Sequence, residues 1–313
     1  MRATTIQDGT LVVEERPDPE PGRGELLVRV RGAGLNGADM LQLRGGYPAP
    51  PGSPPDIPGL ELAGEVVALG PDAARFAVGD RVMAVVGGGA QAELAVVHER
   101  GAMPVPEGLD WPAAGGLPEV FTTAHDAVFT QAQLRPGEHL LVHGAAGGVG
   151  TEAVQLGRAA GARVTATVRR EELRGEVERL GATAIAPEGF GEHGLYDVVL
   201  ELVGVGNLAE NLESLATGGR IAVIGVGGSG PVGEINLLAL MGKRARIHGS
   251  TLRARPLEEK AIAMRLVEKE VLPLFERGDL TVPVAQTFPL DDVAAAYERF
   301  QGGGKLGKLV VLP

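Results

Sequence analysis

One stretch, His139 to Arg170, constrains the fold more than any other part of the chain: HLLVHGAAGGVGTEAVQLGRAAGARVTATVRR. It begins with a short apolar run, His139 to His143, of the residue types that make a buried parallel strand. A turn of small residues follows, Gly144 to Gly150. Val149, Ala153, Leu156 and Ala160 then recur at three- and four-residue spacing, which predicts a helix that stops at Gly161. A second β-branched run, Val164 to Val168, ends at Arg169 and Arg170. Strand, glycine turn, helix and strand in this order form the unit that seats a dinucleotide pyrophosphate on a helix N-terminus.

The flanking texture predicts two domains, for which 313 residues suffice. Before residue 110 the chain reads as short strands and frequent turns. Leu26 to Val30 alternates, and Glu61 to Leu69, Val82 to Val86 and Ala90 to Val97 are further strand candidates. A short helix near Asn36 has that side chain as its candidate cap. Pro48 to Pro58 holds six prolines and reads as an extended surface loop. This pattern suggests a small, partly closed barrel. Ala113 to Phe129 has helical spacing. From His139 six strand candidates alternate with helices, the sign of a doubly wound parallel sheet. Leu257 to Arg277 reads as one long amphipathic helix, and Asp291 to Phe300 and Lys308 to Leu312 as a last helix and strand. These closing pieces break the βα rhythm and return to the first domain. The expected division is therefore 1–120 with 254–313 as a β-rich catalytic domain, and 121–253 as an inserted Rossmann domain.

The glycine turn alone is a weak signal, because its first glycine is Ala145. Other folds with such turns fit less well. A methyltransferase usually has an acidic residue beside the turn, where His143 stands. A Tyr-x-x-x-Lys pair is absent, since Tyr47, Tyr196 and Tyr297 are followed four residues later by Pro51, Leu200 and Gln301. No Gly-Lys-Ser/Thr loop occurs. The flanking strand and helix therefore favour a nicotinamide dinucleotide. Arg169 and Arg170 close the second strand, where a basic residue suits the 2′-phosphate of NADPH and an acidic one the ribose of NAD. Glu171 and Glu172 keep NAD open as the alternative.

A net charge of −11 argues against a nucleic-acid partner. Cysteine is absent, which removes disulfides, thiolate nucleophiles and thiolate metal sites, and fits a cytoplasmic enzyme. No apolar run reaches the length of a membrane span, and the first residues lack an apolar leader.

Further motifs surround the cofactor unit: Gly34-Leu35-Asn36-Gly37-Ala38-Asp39, Gly45-Gly46-Tyr47-Pro48, Pro58-Gly59-Leu60-Glu61, Val78-Gly79-Asp80-Arg81-Val82, Leu117-Pro118-Glu119, Thr122-Thr123-Ala124, Ser250 to Arg255 and Gly307-Lys308-Leu309-Val310. Together they resemble the zinc-free, zeta-crystallin-like quinone oxidoreductases of the medium-chain dehydrogenase/reductase superfamily, along nearly the whole chain. The resemblance implies a GroES-like catalytic domain, an inserted Rossmann domain, and homodimers paired through the last Rossmann strands. Zinc-dependent members place a cysteine where Asn36 stands and a histidine where Leu60 stands, so no metal is expected; the six histidines read as core or surface residues. Carried over residue by residue, Ala145, Ala146, Gly147, Gly148 and Val149 are expected at the pyrophosphate, and Asn36, Tyr47 and Thr123 near the nicotinamide. Gly225, Val226, Gly227, Ser250, Thr251 and Lys305 are expected beside the cofactor, with Arg169 and Arg170 at its 2′-phosphate. The lysine and tyrosine that often bind this phosphate in relatives are replaced near Glu172-Leu173 and Pro187-Glu188.

The function expected is NADPH-dependent, zinc-independent hydride transfer to a quinone or an α,β-unsaturated carbonyl. Such acceptors spread the developing charge by themselves. Tyr47 and Asn36 are the candidate catalytic donors; Tyr47 has packing beside the nicotinamide as its other reading. Two alternatives stand. A 2-enoyl thioester reductase would need a basic entrance, for which Arg253, Arg255 and Lys305 are available. A non-catalytic NADPH-binding redox sensor would bind cofactor without turnover.

Overall fold

In the computed structural model, which describes residues 1–313, contacts divide the chain into two units. The first comprises Met1–Thr122, Leu252–Gly303 and Lys308–Pro313; the second comprises Thr123–Thr251 with Gly304–Gly307.

The first unit opens with a hairpin, β1 (Arg2–Gln7) and β2 (Thr10–Glu15), that the sequence reading missed. Its turn is Asp8-Gly9, both at positive φ, the pairing that suits a two-residue hairpin. β3 (Glu25–Gly34) buries Leu26, Val28 and Val30 and turns Arg29 and Arg31 outward. α1 (Gly37–Leu43) follows, then β4 (Glu61–Leu69), β5 (Arg81–Val85), β6 (Leu94–His98), β7 (Ala102–Pro104), α2 (Trp111–Gly115) and α3 (Pro118–His125). The single helix expected over Ala113 to Phe129 is thus interrupted. Gly116 ends α2, and the helix after His125 widens over Asp126–Gln131.

The second unit holds β8 (His139–Val142), α4 (Gly148–Ala159), β9 (Arg163–Thr167), α5 (Arg174–Arg179), β10 (Thr183–Ile185), β11 (Tyr196–Glu201), α6 (Leu208–Glu213), β12 (Leu215–Val223), α7 (Leu237–Lys243) and β13 (Arg246–Gly249). Its six strands are all parallel, in the order β10-β9-β8-β11-β12-β13. The order reverses between β8 and β11, so the carboxyl ends of these two strands flank the crevice where open α/β sheets bind ligands. Leu141, Val199, Ile221 and Tyr196 are core residues of this sheet.

The chain then returns to the first unit as α8 (Leu257–Glu270), α9 (Leu272–Glu276), β14 (Val284–Pro289), α10 (Val293–Gln301) and β15 (Lys308–Leu312). The expected long helix is divided at Val271, where Pro273 in the first turn of α9 cannot continue the α8 hydrogen-bond ladder. The sheet order is β14-β15-β3-β4-β5-β7, with β6 paired to β3, and all pairs are antiparallel except β14 with β15. One core lies inside the barrel strands. A second packs α10 on β14 and β15 through Phe288, Tyr297, Leu309 and Val311.

Arg220 of β12 anchors the entry to the parallel sheet. Its Nε donates to Ala132 O and its Nη2 to Gln133 O, each at 2.6 Å, and both Nη atoms reach Glu138 at 2.8–2.9 Å. Arg220→Ala strands the carboxylate and two carbonyls, and is expected to lower stability by about 3 kcal/mol. Urea unfolding checks this; an unchanged midpoint would refute the anchoring role.

Candidate functional site

The glycine turn of the second unit leaves a helix N-terminus uncovered. Gly147 is the N-cap of α4, and no side chain accepts from the first-turn N–H groups. Those donors and the helix dipole are available to an anion. The turn can close this tightly only without side chains. A Cβ on Gly150 would lie 2.6 Å from Ala145 Cα and 2.7 Å from Gly144 O. Ala145 is buried, whereas Ala146, Gly148 and Val149 are half-buried. The cradle fits a dinucleotide pyrophosphate, and Ala145 to Val149 are the residues that would hold it.

The other residues expected at the cofactor fall into two groups. Gly304–Gly307 folds onto the turn: Gly307 N–H donates to Ala146 O at 2.8 Å. Gly304 lies so close to Arg170 that an added Cβ would be 2.7 Å from the guanidinium carbon. Arg170 is about half exposed and only weakly paired with Glu172, at 3.4 Å; Arg169 is exposed. Lys305 Nζ donates to Gly307 O within its own loop. Gly225 follows β12, where a Cβ would strike Leu202 O at 2.5 Å. Val226 and Gly227 come next and are exposed or half-buried, as are Thr123 and Thr251. Ser250 Oγ is 3.1 Å from Asp126 Oδ2.

A buried network that the sequence reading did not identify fixes the loops after β8 and β11. Glu201 accepts from the N–H groups of Val203 and Gly204 and from Asn211 Nδ2. This turns the Asn211 oxygen to His143 Nε2 at 2.7 Å, which assigns the imidazole proton to Nε2. Nδ1 then accepts from the Thr167 hydroxyl at 3.0 Å. Burial lowers the His143 pKa despite nearby Glu201, so the ring is neutral at pH 7. The imidazole thus positions the turn and carries no charge towards it.

In the first unit Asn36, Glu61 and Lys308 form a buried polar cluster. Lys308 Nζ lies 2.6 Å from Glu61 Oε1, and the two side chains are 2% and 0% exposed. The ammonium also donates to Leu35 O and Asn36 Oδ1. Asn36 Nδ2 donates to Glu61 Oε1 at 2.9 Å and, at 3.3 Å, to Gly34 O. Asn36 is the N-cap of α1, in a capping box whose reciprocal half is Asp39 Oδ2 accepting the Asn36 N–H. One expectation is corrected: Asn36 is not a free catalytic donor, because both its amide hydrogens are engaged. The residues do not fit a tetrahedral zinc either. Asn36 and the buried Leu60 replace the cysteine and histidine, and a lysine ammonium already sits on Glu61.

Two further carboxyls surround this pair. Asp39 is fully buried, and desolvation raises its pKa to about 6 against the N–H donors of Asn36 and Gly59 and the Lys308 charge. Glu119, in the first turn of α3, donates its N–H to Glu61 Oε2 at 2.8 Å. Desolvation first, and the Glu61 carboxylate second, push its own pKa up to about 8. The sequence reading quoted Glu119 in the Leu117-Pro118-Glu119 motif and gave it no role of its own; the signal available was an acid directly after a helix-starting proline.

Tyr47 is held from below by Arg253, whose guanidinium lies 5.2 Å from the ring centroid and donates to Tyr47 O at 2.9 Å. Arg253 also donates to Gly87 O and Gln42 Oε1 and is 1% exposed. It therefore cannot line a basic entrance, contrary to the thioester alternative's requirement. Burial, followed by the Glu119 charge, raises the Tyr47 pKa above its ordinary value.

Residues 22–107 match the alcohol dehydrogenase GroES-like domain, and residues 180–311 the zinc-binding dehydrogenase domain. A quinone oxidoreductase of Rattus norvegicus is 32% identical over 308 residues, spanning 94% of this chain and 91% of the relative. An acryloyl-coenzyme A reductase of Sulfurisphaera tokodaii is 28% identical, spanning 96% of each chain. Among solved structures, a mycobacterial protein complexed with NADPH superposes with a TM-score of 0.89 at 26% identity, covering both chains completely.

Lys308→Met leaves Glu61 buried without its counter-charge and is expected to cost about 3–5 kcal/mol. Adding Glu61→Gln should recover part of that loss, since the stranded charge disappears. Denaturant unfolding of the two variants checks the coupling; simple additivity would argue against the pair.

Proposed function

The chain belongs to the quinone oxidoreductase family of the medium-chain dehydrogenase/reductase superfamily, and on that premise we propose that it is an NADPH-dependent, zinc-independent reductase of quinones or α,β-unsaturated carbonyls. The observation that carries the reading is the Lys308 ammonium bound to both Asn36 and Glu61. At these positions the one carboxylate is engaged by an ammonium and no cysteine or histidine stands beside it, so an acceptor that delocalises its own negative charge suits the site best. A dinucleotide, when bound, supplies the hydride. The chain's residues bind and orient it: the uncapped α4 N-terminus takes the pyrophosphate, and Arg169 and Arg170 take the 2′-phosphate. The solved NADPH complex of similar fold supports that cofactor.

A 2-enoyl thioester is a second acceptor with specific support, from the similarity to an acryloyl-coenzyme A reductase. NADPH oxidation across a panel of quinones, enones and 2-enoyl thioesters tests the reading. Saturable NADPH binding without oxidation by any of them would instead indicate the redox sensor. Arg169→Ala/Arg170→Ala is expected to lower the preference for NADPH over NADH on the order of tenfold or more, because charged hydrogen bonds to phosphate are lost. A preference left unchanged would remove the 2′-phosphate role.

We also propose a homodimer. Val232, Leu237, Leu238 and Met241 are 85%, 62%, 78% and 69% exposed, and β13 beside them is an end strand of the parallel sheet. An apolar patch beside an open strand edge is the surface that a second copy would cover. Leu238→Glu/Met241→Glu should convert a dimer to a monomer in sedimentation velocity; an unchanged sedimentation coefficient would place the interface elsewhere.

A further inference from the structure

We propose that Glu119 is the proton donor of the reaction, a catalytic acid that neutralises the anion left on the acceptor oxygen after hydride transfer. This rests on the reductase reading. The three Lys308 ammonium hydrogens are matched by Leu35 O, Asn36 Oδ1 and Glu61 Oε1. Both Asn36 amide hydrogens go to Glu61 and Gly34. Each Asp39 oxygen accepts a backbone N–H, from Asn36 or Gly59. Lys260 Nζ donates to Arg253 O. Glu119 differs: its Oε2 is shielded from solvent and no protein group bonds it, although the residue as a whole stays partly exposed.

The charged groups facing this carboxyl are Glu61 on β4, Lys308 on β15, Asp39 on α1 and Lys260 on α8, with Tyr47 and Arg253 beside them. Burial and the Glu61 carboxylate together outweigh the two lysines, so Glu119 holds its proton at pH 7. A neutral carboxylic acid in this setting can donate where an ionised one cannot. The same helix carries Thr123 one turn later, the residue that the family resemblance puts near the nicotinamide.

The step balances. The acceptor gains two electrons and one hydrogen as hydride from NADPH, giving an enolate or a hydroquinone anion. The Glu119 O–H bond then breaks, the proton passes to the acceptor oxygen, and the carboxylate regains a proton from water.

Glu119→Gln keeps the size and neutrality of the acid but has no transferable proton. The variant is expected to bind NADPH, by fluorescence titration, within about twofold of wild type. Its kcat for enones and quinones should fall on the order of 10²-fold. Wild-type kcat should decline above about pH 8 as the acid ionises, and show a solvent deuterium isotope effect. The variant should show neither.

Without cofactor, the thermal midpoint provides a second readout. A carboxyl whose folded pKa is raised from 4.5 to about 8 stabilises the fold fully at pH values below 4.5, and that contribution is lost progressively as pH rises from 4.5 to about 8. Wild-type midpoints should fall across that window relative to Glu119→Gln and run parallel to them above it. A variant that keeps its turnover, or keeps the alkaline decline, overturns the donor role and leaves the reductase reading standing. If Tyr47→Phe removes the decline instead, Tyr47 is the donor and the proposal fails. Wild-type protein that fails to oxidise NADPH with every acceptor of the panel overturns both.

Discussion

The first unit depends on a buried ammonium–carboxylate pair, Lys308 with Glu61. The pair joins the last strand of the chain to strands near its start. β15 meets β3 at only two residue pairs, Val310 with Gly34 and Val311 with Ala33. Lys308 extends that junction by bonding Leu35 O and Asn36 just beyond the end of β3. Close approach makes this possible: a Cβ on Gly34 would lie 2.3 Å from Glu61 Oε1. Buried pairs of this kind seldom add much stability over apolar packing, because desolvation offsets the attraction. Here burial leads in raising the carboxyls around the pair; the Glu61 carboxylate adds to the rise at Glu119, and the Lys308 charge opposes it at both Asp39 and Glu119. One ammonium faces three carboxyls, and the two not paired with it directly, Asp39 and Glu119, both have raised pKa values.

The second unit solves a related problem with neutral groups. Its glycine turn ends in uncapped N–H groups that favour an anion. His143 sits immediately before this turn, yet it is fully hydrogen-bonded and uncharged. The reason is directional: Glu201 accepts from Asn211 Nδ2, which turns the Asn211 oxygen to the ring. Through this chain the loops after β8 and β11 share one rigid support. Those loops flank the point where the strand order reverses.

Much of this organisation was legible because it is local. Alternation marked β3, turn residues marked the loops, and strand–glycine–helix spacing marked β8 to β9. The alternation of short apolar runs with helices gave the six-stranded parallel sheet. Where the reading failed, the deciding partner lay elsewhere in the chain. Asn36 is the N-cap of α1, but as a catalytic donor it is already taken, its amide nitrogen bound to Glu61 and its oxygen to Lys308. Arg253 has the composition of a basic entrance, yet three acceptors bury it under Tyr47. Some misses were local after all. Asp8-Gly9 announces a hairpin, and Pro273 announces the break between α8 and α9.

The cluster also explains why a lysine is no substitute for a metal on the proposed reading. A Lewis acid accelerates reduction by stabilising charge that appears only in the transition state. The Lys308 charge is already matched by Glu61 in the resting protein, and its hydrogens already have acceptors. Little of that interaction can grow as an oxyanion develops. The stabilisation must then come from the acceptor's own conjugation and from a group whose proton is not yet assigned. Burial beside a carboxylate keeps such a proton on Glu119, so the same cluster that engages Glu61 with an ammonium also makes a neutral acid available.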